Sequence, residues 1–329
     1  MKAFKNGIRM TREEIIQLAE SFQPKYSDLR SEIGKVIVGQ DEVITALINA
    51  LFSHGHVLMV GVPGLAKTLL VKTLSQVLSL EFNRVQFTPD LMPSDIIGAE
   101  ILDENRQFKF IKGPIFTNLL LADEINRTPP KTQSALLEAM QERQVTAAGR
   151  NYELGNPFFV LATQNPIEQE GTYPLPEAQL DRFMYQVNLD YPTFEQEVQV
   201  LKQTTEGKKT QVKSVMNFQD ILNYQKVVEE VPVPDSVFEY TVNLVQKTRP
   251  SDTKSPESTK KYIAYGAGPR AGQNLILGAK CNALMNGKFS VDREDIQAVA
   301  KWVLGHRVVL NFKGEAEGVS VDQLIQDLL

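Results

Sequence analysis

Several things are scarce in this 329-residue sequence, and each scarcity excludes something. There is one cysteine, Cys281, so no internal disulfide can form, and the expected setting is a reducing cytoplasm. Cys281 itself reads as a small core residue. The three histidines, His54, His56 and His306, have no metal-ligand spacing with one another or with Cys281, so structural or surface roles are expected for them. No apolar run approaches the roughly 18 residues that a membrane span needs. The opening Met1-Lys2-Ala3-Phe4-Lys5-Asn6 leads into polar residues, not the apolar stretch of a secretory signal. No Lys/Arg-rich tract occurs and the formal net charge is −5, so the basic footprint that nucleic acid requires is missing. What remains is ordinary: 42% hydrophobic and 23% charged residues, in a chain long enough for two domains.

The pattern changes along the chain. From Thr11 to about Phe52 it is helical, with Ile33, Ile37, Ile44, Leu47 and Leu51 on a buried face. From His56 to Leu189, short apolar runs alternate with helical segments. The runs are His56–Val60, Val85–Phe87, Thr117–Ala122, Phe158–Ala162 and Met184–Leu189. Such runs suit strands buried on both faces, in a parallel sheet covered by helices. Pro192 opens a second region of helical periodicity, with Ile221, Tyr224 and Val228 on one face and Val237, Thr241, Leu244 and Val245 on another. Asp292, with Asp295, is placed to cap a helix there, and Ser320 with Gln323 reads as a capping box. The expected organisation is therefore 1–191 as N-terminal helices plus an α/β core, and 192–329 as a small all-helical domain. Two polar stretches interrupt the second, Thr204–Lys213 and Ser251–Lys261, and the latter reads as mobile.

Gly61-Val62-Pro63-Gly64-Leu65-Ala66-Lys67-Thr68 follows an apolar strand and opens a helix carrying Leu70, Leu74, Val77 and Leu78, with the residues from Gly61 to Leu69 expected to hold the nucleotide. That is the setting of a phosphate-binding loop, in which backbone N–H groups and a helix N-terminus face an anion. Lys67 would reach the β- and γ-phosphates and the Thr68 hydroxyl would bind Mg²⁺. The strict pattern has glycine where this chain has Ala66. Gly64 is expected to take the special backbone conformation, with Ala66 already entering the helix, where alanine is favourable.

Thr117–Ala122 ends in Asp123-Glu124. Asp123 at a strand tip can hold Mg²⁺, and Glu124 can orient or deprotonate an attacking water. Thr128-Pro129 reads as an N-cap and N1 proline for the next helix. Phe158–Ala162 runs into Thr163-Gln164-Asn165-Pro166, where Asn165 is suited to hydrogen-bond the γ-phosphate or the water. No Asn-Lys dipeptide of a guanine-recognition box occurs, which favours ATP.

Together these residues resemble the AAA+ ATPases and, within them, the MoxR family, over nearly the whole chain. The resemblance rests on Val38-Gly39-Gln40, Gly61–Thr68, the run from Leu121 to Gln133, Ala162–Pro166, Pro176–Phe183 and Gly268-Pro269-Arg270. It implies a P-loop AAA+ core followed by a helical lid, with ATP and Mg²⁺ as cofactors. It also implies a homo-oligomeric ring, expected to be a hexamer, with ATP sites between subunits. It makes Asn165 the sensor-1 residue and Arg182 an arginine finger reaching a neighbour's ATP. Arg270 would touch the γ-phosphate within its own subunit, and Ile37 and Val38 would lie near the adenine. Arg127 is the second candidate for the intersubunit arginine, and a salt bridge to Asp181 or another acid is the structural alternative for Arg182. Two hairpins, Glu100–Ile111 around an Asp103–Arg106 turn and Gln144–Leu154 turning near Gly149, fit the clade either as levers on a client or as passive ribbons. The implied activity is ATP hydrolysis coupled to remodelling, activation or metal loading of a protein client. A DNA-acting motor and a non-hydrolysing ATP-binding scaffold are the alternatives.

Overall fold

The computed structural model describes residues 10–102, 104, 106–147, 149–168, 171–206 and 210–329. Met1–Asn6, Asp103 of the first hairpin turn and part of the Thr204–Lys213 stretch lie outside the described residues. Helix α1 (Arg12–Gly34) starts at a reciprocal cap, the Thr11 hydroxyl accepting the Glu14 N–H and the Glu14 carboxylate accepting the Thr11 N–H. Then come α2 (Asp41–Phe52), β1 (Val57–Val60), α3 (Lys67–Val77), β2 (Phe82–Gln86) and α4 (Pro93–Ile97). The hairpin β3 (Gly98–Leu102) and β4 (Phe108–Lys112) leads to β5 (Leu119–Asp123) and α5 (Pro130–Glu142). A second hairpin, β6 (Gln144–Ala147) and β7 (Arg150–Glu153), precedes β8 (Phe159–Gln164), α6 (Glu177–Leu180) and β9 (Tyr185–Asn188).

Five strands form a parallel sheet in the order β2-β5-β8-β1-β9. Alternation along each strand sends side chains to opposite faces. Leu119 and Leu121 of β5, Phe159 and Leu161 of β8, and Val57 and Met59 of β1 enter one core. Leu120, Ala122, Val160, Ala162 and Leu58 enter the other, against Leu136, Leu137 and Met140 of α5. Each buried Val, Leu, Phe or Met side chain among them contributes about 1.5–3 kcal/mol.

Helices then dominate: α7 (Phe194–Thr205), α8 (Phe218–Glu230), α9 (Asp235–Lys247) and α10 (Glu257–Tyr262), then the short β10 (Ile263–Tyr265) and α11 (Pro269–Met285). After α12 (Arg293–Leu304) come β11 (Val309–Leu310), α13 (Phe312–Ala316) and α14 (Val321–Leu328). The expected faces of α8 and α9 are buried, and Asp292 and Asp295 form a full capping box on α12. Ser320 caps α14 through the Gln323 N–H alone. These helices share the first core with α1 and α2. Phe22, Phe52 and Tyr224 meet edge-to-face at 5.0–6.1 Å. The Tyr185 hydroxyl donates to Asn49 Oδ1 at 2.7 Å, while Asn49 Nδ2 donates to the Gly278 carbonyl at 3.0 Å. A Cβ on Gly278 would lie 2.0 Å from the Tyr185 hydroxyl, so only glycine lets α11 approach β9 this closely.

Ser251–Lys261 is fastened where mobility was expected. The Ser255 hydroxyl donates to the Arg249 carbonyl at 2.6 Å and the Thr259 hydroxyl to the Lys247 carbonyl at 2.9 Å, and α10 fills the end of the stretch. Both hairpins form as expected, and they touch: Phe110 stacks on Tyr152 at 4.2 Å. Among the described residues, no helix is long and apolar enough to cross a membrane.

Candidate active site

Because β1, β8 and β5 are adjacent and parallel, their carboxyl ends open on one edge of the sheet, where open α/β sheets bind ligands. The loop after β1 is 61–66, β8 ends beside Asn165, and β5 ends in Asp123-Glu124.

The Gly61 N–H donates to the Gln164 carbonyl at 3.1 Å, tying the loop to β8. A Cβ on Gly61 would come within 2.9 Å of Leu189, so the residue is glycine for space. Gly64 has φ +91°, as expected of the turn glycine. Ala66 departs from expectation: it precedes the helix in a left-handed conformation, φ 55° and ψ 23°, and is not yet helical. With Ala66 as the N-cap of α3, no side chain caps the helix, so its first amides face the loop without a local acceptor. Leu65 is buried beneath the loop, Val62 is half-buried, Pro63 and Leu69 are exposed, and Thr68 lies in the first turn. The Lys67 ammonium donates to the Gly61 carbonyl at 2.5 Å. Burial lowers its pKa, and the charges of Asp123 and Glu124 oppose that shift, so it lies within electrostatic reach of both.

Asp123 is buried at the tip of β5. Its Oδ1 accepts the Thr163 hydroxyl at 2.6 Å, and its Oδ2 accepts Arg84 Nε at 3.1 Å and Nη2 at 2.7 Å. Glu124 has φ 58°, and its N–H donates to Thr163 Oγ1 at 2.8 Å, so one hydroxyl aligns both acids. Its carboxylate accepts Gln86 Nε2 at 2.8 Å and Arg127 Nη1 at 3.0 Å. Arg127 also lies 3.8 Å from Glu168, so it is engaged within its own chain. The helix beyond starts one residue later than expected. Pro129 is the N-cap, Pro130 is N1, and the Thr128 hydroxyl donates to the Thr88 carbonyl at 2.7 Å instead of capping. Asn165 is buried, its Oδ1 accepting the Ile167 N–H at 3.1 Å.

Arg182 is half-buried, and no acidic side chain among the described residues pairs with it; the expected alternative of a salt bridge to Asp181 is not formed. Asp181 instead binds Arg270 Nη1 at 3.1 Å, at the start of α11, and Arg307 Nε at 2.7 Å. Ile37 is buried and Val38 half-buried before α2, in a turn containing Gly39 and the left-handed Gln40. Sequence reading did not single out Arg84, Gln86, Thr163 or Arg307, and named Asp181 only as an acid that could pair with Arg182. Arg307 had a signal, a cation inside the apolar run Val303–Leu310. Thr163 and Arg84 had none, because their roles depend on strand neighbours.

Oxygen donors suit Mg²⁺, which takes one or two protein ligands and completes its shell with phosphate and water. Thr68 and Asp123 are such a pair on this edge, and no cluster of three or more His, Cys, Asp or Glu exists among the described residues to favour another metal. The uncapped amides of α3 and the Lys67 ammonium, which now bonds its own loop, fit a polyphosphate.

These features fit a phosphate-binding loop, and comparison with known proteins gives the class. Residues 56–185 match the model of the ATPase family associated with various cellular activities, and residues 257–328 match its lid domain. The chain is 43% identical to Chaperone MoxR1 of Mycobacterium tuberculosis over 91% of its own length and 79% of that protein. It is 30% identical to Protein MoxR of Methylorubrum extorquens, covering 85% and 86% of the two chains. A crystal structure from Cytophaga hutchinsonii, of a protein assigned provisionally as an ATPase, superposes with a TM-score of 0.89 at 45% identity, over 96% of each chain. The chain belongs to the MoxR family of AAA+ ATPases, and its fold is an AAA+ core with a helical lid.

Proposed function

We propose that this chain is a Mg²⁺-dependent ATPase whose subunits assemble into a homo-oligomeric ring and spend ATP on remodelling a protein client. The observation that carries the reading is that β1, β8 and β5 bring the phosphate loop, Asn165 and Asp123-Glu124 to one edge of the sheet. In this reading 1–191 is the nucleotide-binding unit and 192–329 the lid, with Ile37 and Val38 beside the adenine. Lys67 moves from the Gly61 carbonyl to the β- and γ-phosphates, and the α3 amides hold the phosphate oxygens. Thr68 and Asp123 would hold Mg²⁺, which when bound offsets phosphate charge. Glu124 takes the proton of the attacking water, and Asn165 fixes that water's position by hydrogen bonding. Among the described residues Arg182 has no acidic partner and Arg127 does, which favours Arg182 as the finger offered to the next subunit.

Two substitutions test the chemistry. Lys67→Ala should abolish tight ATP binding, because backbone amides and the helix dipole do not replace the ammonium. Glu124→Gln should bind ATP normally and turn over about 10²–10⁴-fold more slowly. Nucleotide titration and phosphate release measure the two. Unchanged affinity in the first, or a normal rate in the second, would remove the corresponding assignment.

A further inference from the structure

Asp181 stands one residue before Arg182, and two arginines from the lid share its carboxylate. The two contacts differ in kind. Arg307, whose side chain is 2% exposed, gives Nε to Asp181 Oδ1 at 2.7 Å. Its remaining donors reach the carbonyls of Asp181 (3.1 Å), Phe183 (2.8 Å), Met184 (3.1 Å) and Val303 (2.5 Å). Its fork is satisfied, and losing the Asp181 carboxylate and the carbonyls would leave a buried guanidinium unpaired, so Arg307 stays. Arg270 has a side chain 42% exposed, one 3.1 Å contact to Asp181 Oδ2 and a long 3.4 Å contact to the Asp181 carbonyl. An exposed ion pair of that kind separates at little cost. Two guanidinium groups on one carboxylate also repel each other; burial depresses the Arg307 pKa, and the nearby Arg270 depresses it further.

We propose that Asp181 is a positioning residue, a clasp that Arg307 anchors permanently and that withholds Arg270 from the γ-phosphate until ATP enters. Arg307 binds the backbone of 181, 183 and 184, so the segment carrying Arg182 moves with the lid. Exchange of Arg270 from carboxylate to phosphate therefore links occupancy of one site to the arginine offered to the next. The inference rests on reading Arg270 as a γ-phosphate contact and Arg182 as the trans-acting group.

The test compares binding of ADP and of a non-hydrolysable ATP analogue to the full chain. ADP lacks the γ-phosphate, so a change in the ratio of the two affinities reports on Arg270, whereas general damage to the fold moves both. Asp181→Asn should favour the analogue over ADP by about 2- to 5-fold, the strength of an exposed ion pair, and the gain should vanish in an Arg270→Ala background. Asp181→Asn leaves the Arg307 charge buried without its counter-charge. If that variant does not fold, Asp181→Asn/Arg307→Gln removes both charges and should give the same shift. Arg270→Ala alone should weaken the analogue relative to ADP. If it does not, the phosphate reading of Arg270 fails and the clasp with it. If it does, but neither Asp181 variant shifts the ratio, the phosphate reading stands and the clasp is overturned. A shift that persists without Arg270 would likewise overturn it.

Discussion

At the scale of single residues, the site holds backbone conformations that most side chains avoid. Gln40, Ala66 and Glu124 all have positive φ, and such residues cost of order 1–3 kcal/mol and persist where their surroundings enforce them. For Glu124 the Thr163 hydroxyl does so, binding its N–H and Asp123 together. Ala66 has no comparable support: its side chain is exposed at the loop's end. Ala66→Gly should therefore raise stability by up to about 1 kcal/mol. Relief of roughly 1–2 kcal/mol of left-handed strain is partly offset by the greater freedom of glycine in the unfolded chain. The denaturant midpoint at unchanged slope measures this, and a loss of about 1 kcal/mol or more would contradict the left-handed assignment. The phosphate loop was legible because its residue types and spacing are local. The left-handed turn at Ala66 was not, since alanine before a lysine reads equally well as the first turn of a helix.

At the scale of elements, buried polar side chains act as fasteners between strands and helices. His56 is the clearest: its Nδ1 accepts the Val160 N–H at 3.0 Å and its Nε2 donates to the Met140 carbonyl at 3.2 Å, joining the start of β1 to β8 and α5. Burial, and then the charge of Arg143, hold its pKa down to about 3. The unfolded chain titrates near 6.5, so between about pH 6.5 and 3 it binds the proton and the folded chain does not. Stability thus rises with pH across this window, and acidification below about 6.5 costs up to ~1.4 kcal/mol per pH unit from this residue. In His56→Gln the slope of stability against pH between 6 and 4 should be shallower by about that amount. Equal slopes would mean that the ring is not held neutral. All five sheet strands and the cap at Asp292 were readable from local sequence. The cap expected at Thr128 does not form: the helix starts one residue later and the hydroxyl donates instead to the Thr88 carbonyl, 40 residues away. The fastening of Ser251–Lys261 was not readable either, its partners being carbonyls at the end of α9 and just beyond it.

For the whole molecule, the decisive question is whether activity needs two subunits at each site. Arg182→Ala subunits keep Lys67 and Thr68 and should bind ATP, while Lys67→Ala subunits bind none and keep a good Arg182. Arg182→Ala alone should lose about 10³–10⁵ in rate, the worth of an arginine finger, and Lys67→Ala alone should be inactive for want of bound nucleotide. Mixing them should restore phosphate release, increasingly at higher protein concentration, as mass action on an assembly requires. Failure to recover in mixtures shown by light scattering to co-assemble would confine Arg182 to its own subunit.

Patterns of short range were determined by the sequence alone: alternating strands and helices, the phosphate loop, the Asp123-Glu124 pair and the order of the MoxR-like motifs. Each depends on residues within a few positions of one another, where hydrophobic period and backbone chemistry act. Tertiary structure decided which distant groups meet. The strand order set Thr163 against both acids and Arg84 against Asp123. Packing of the lid brought Arg270 and Arg307 onto Asp181, leaving Arg182 without an acidic partner among the described residues. A carboxylate with several cations in its sequence has no local rule for choosing among them. The choice follows from which guanidinium is buried beside it, and only the folded chain sets that.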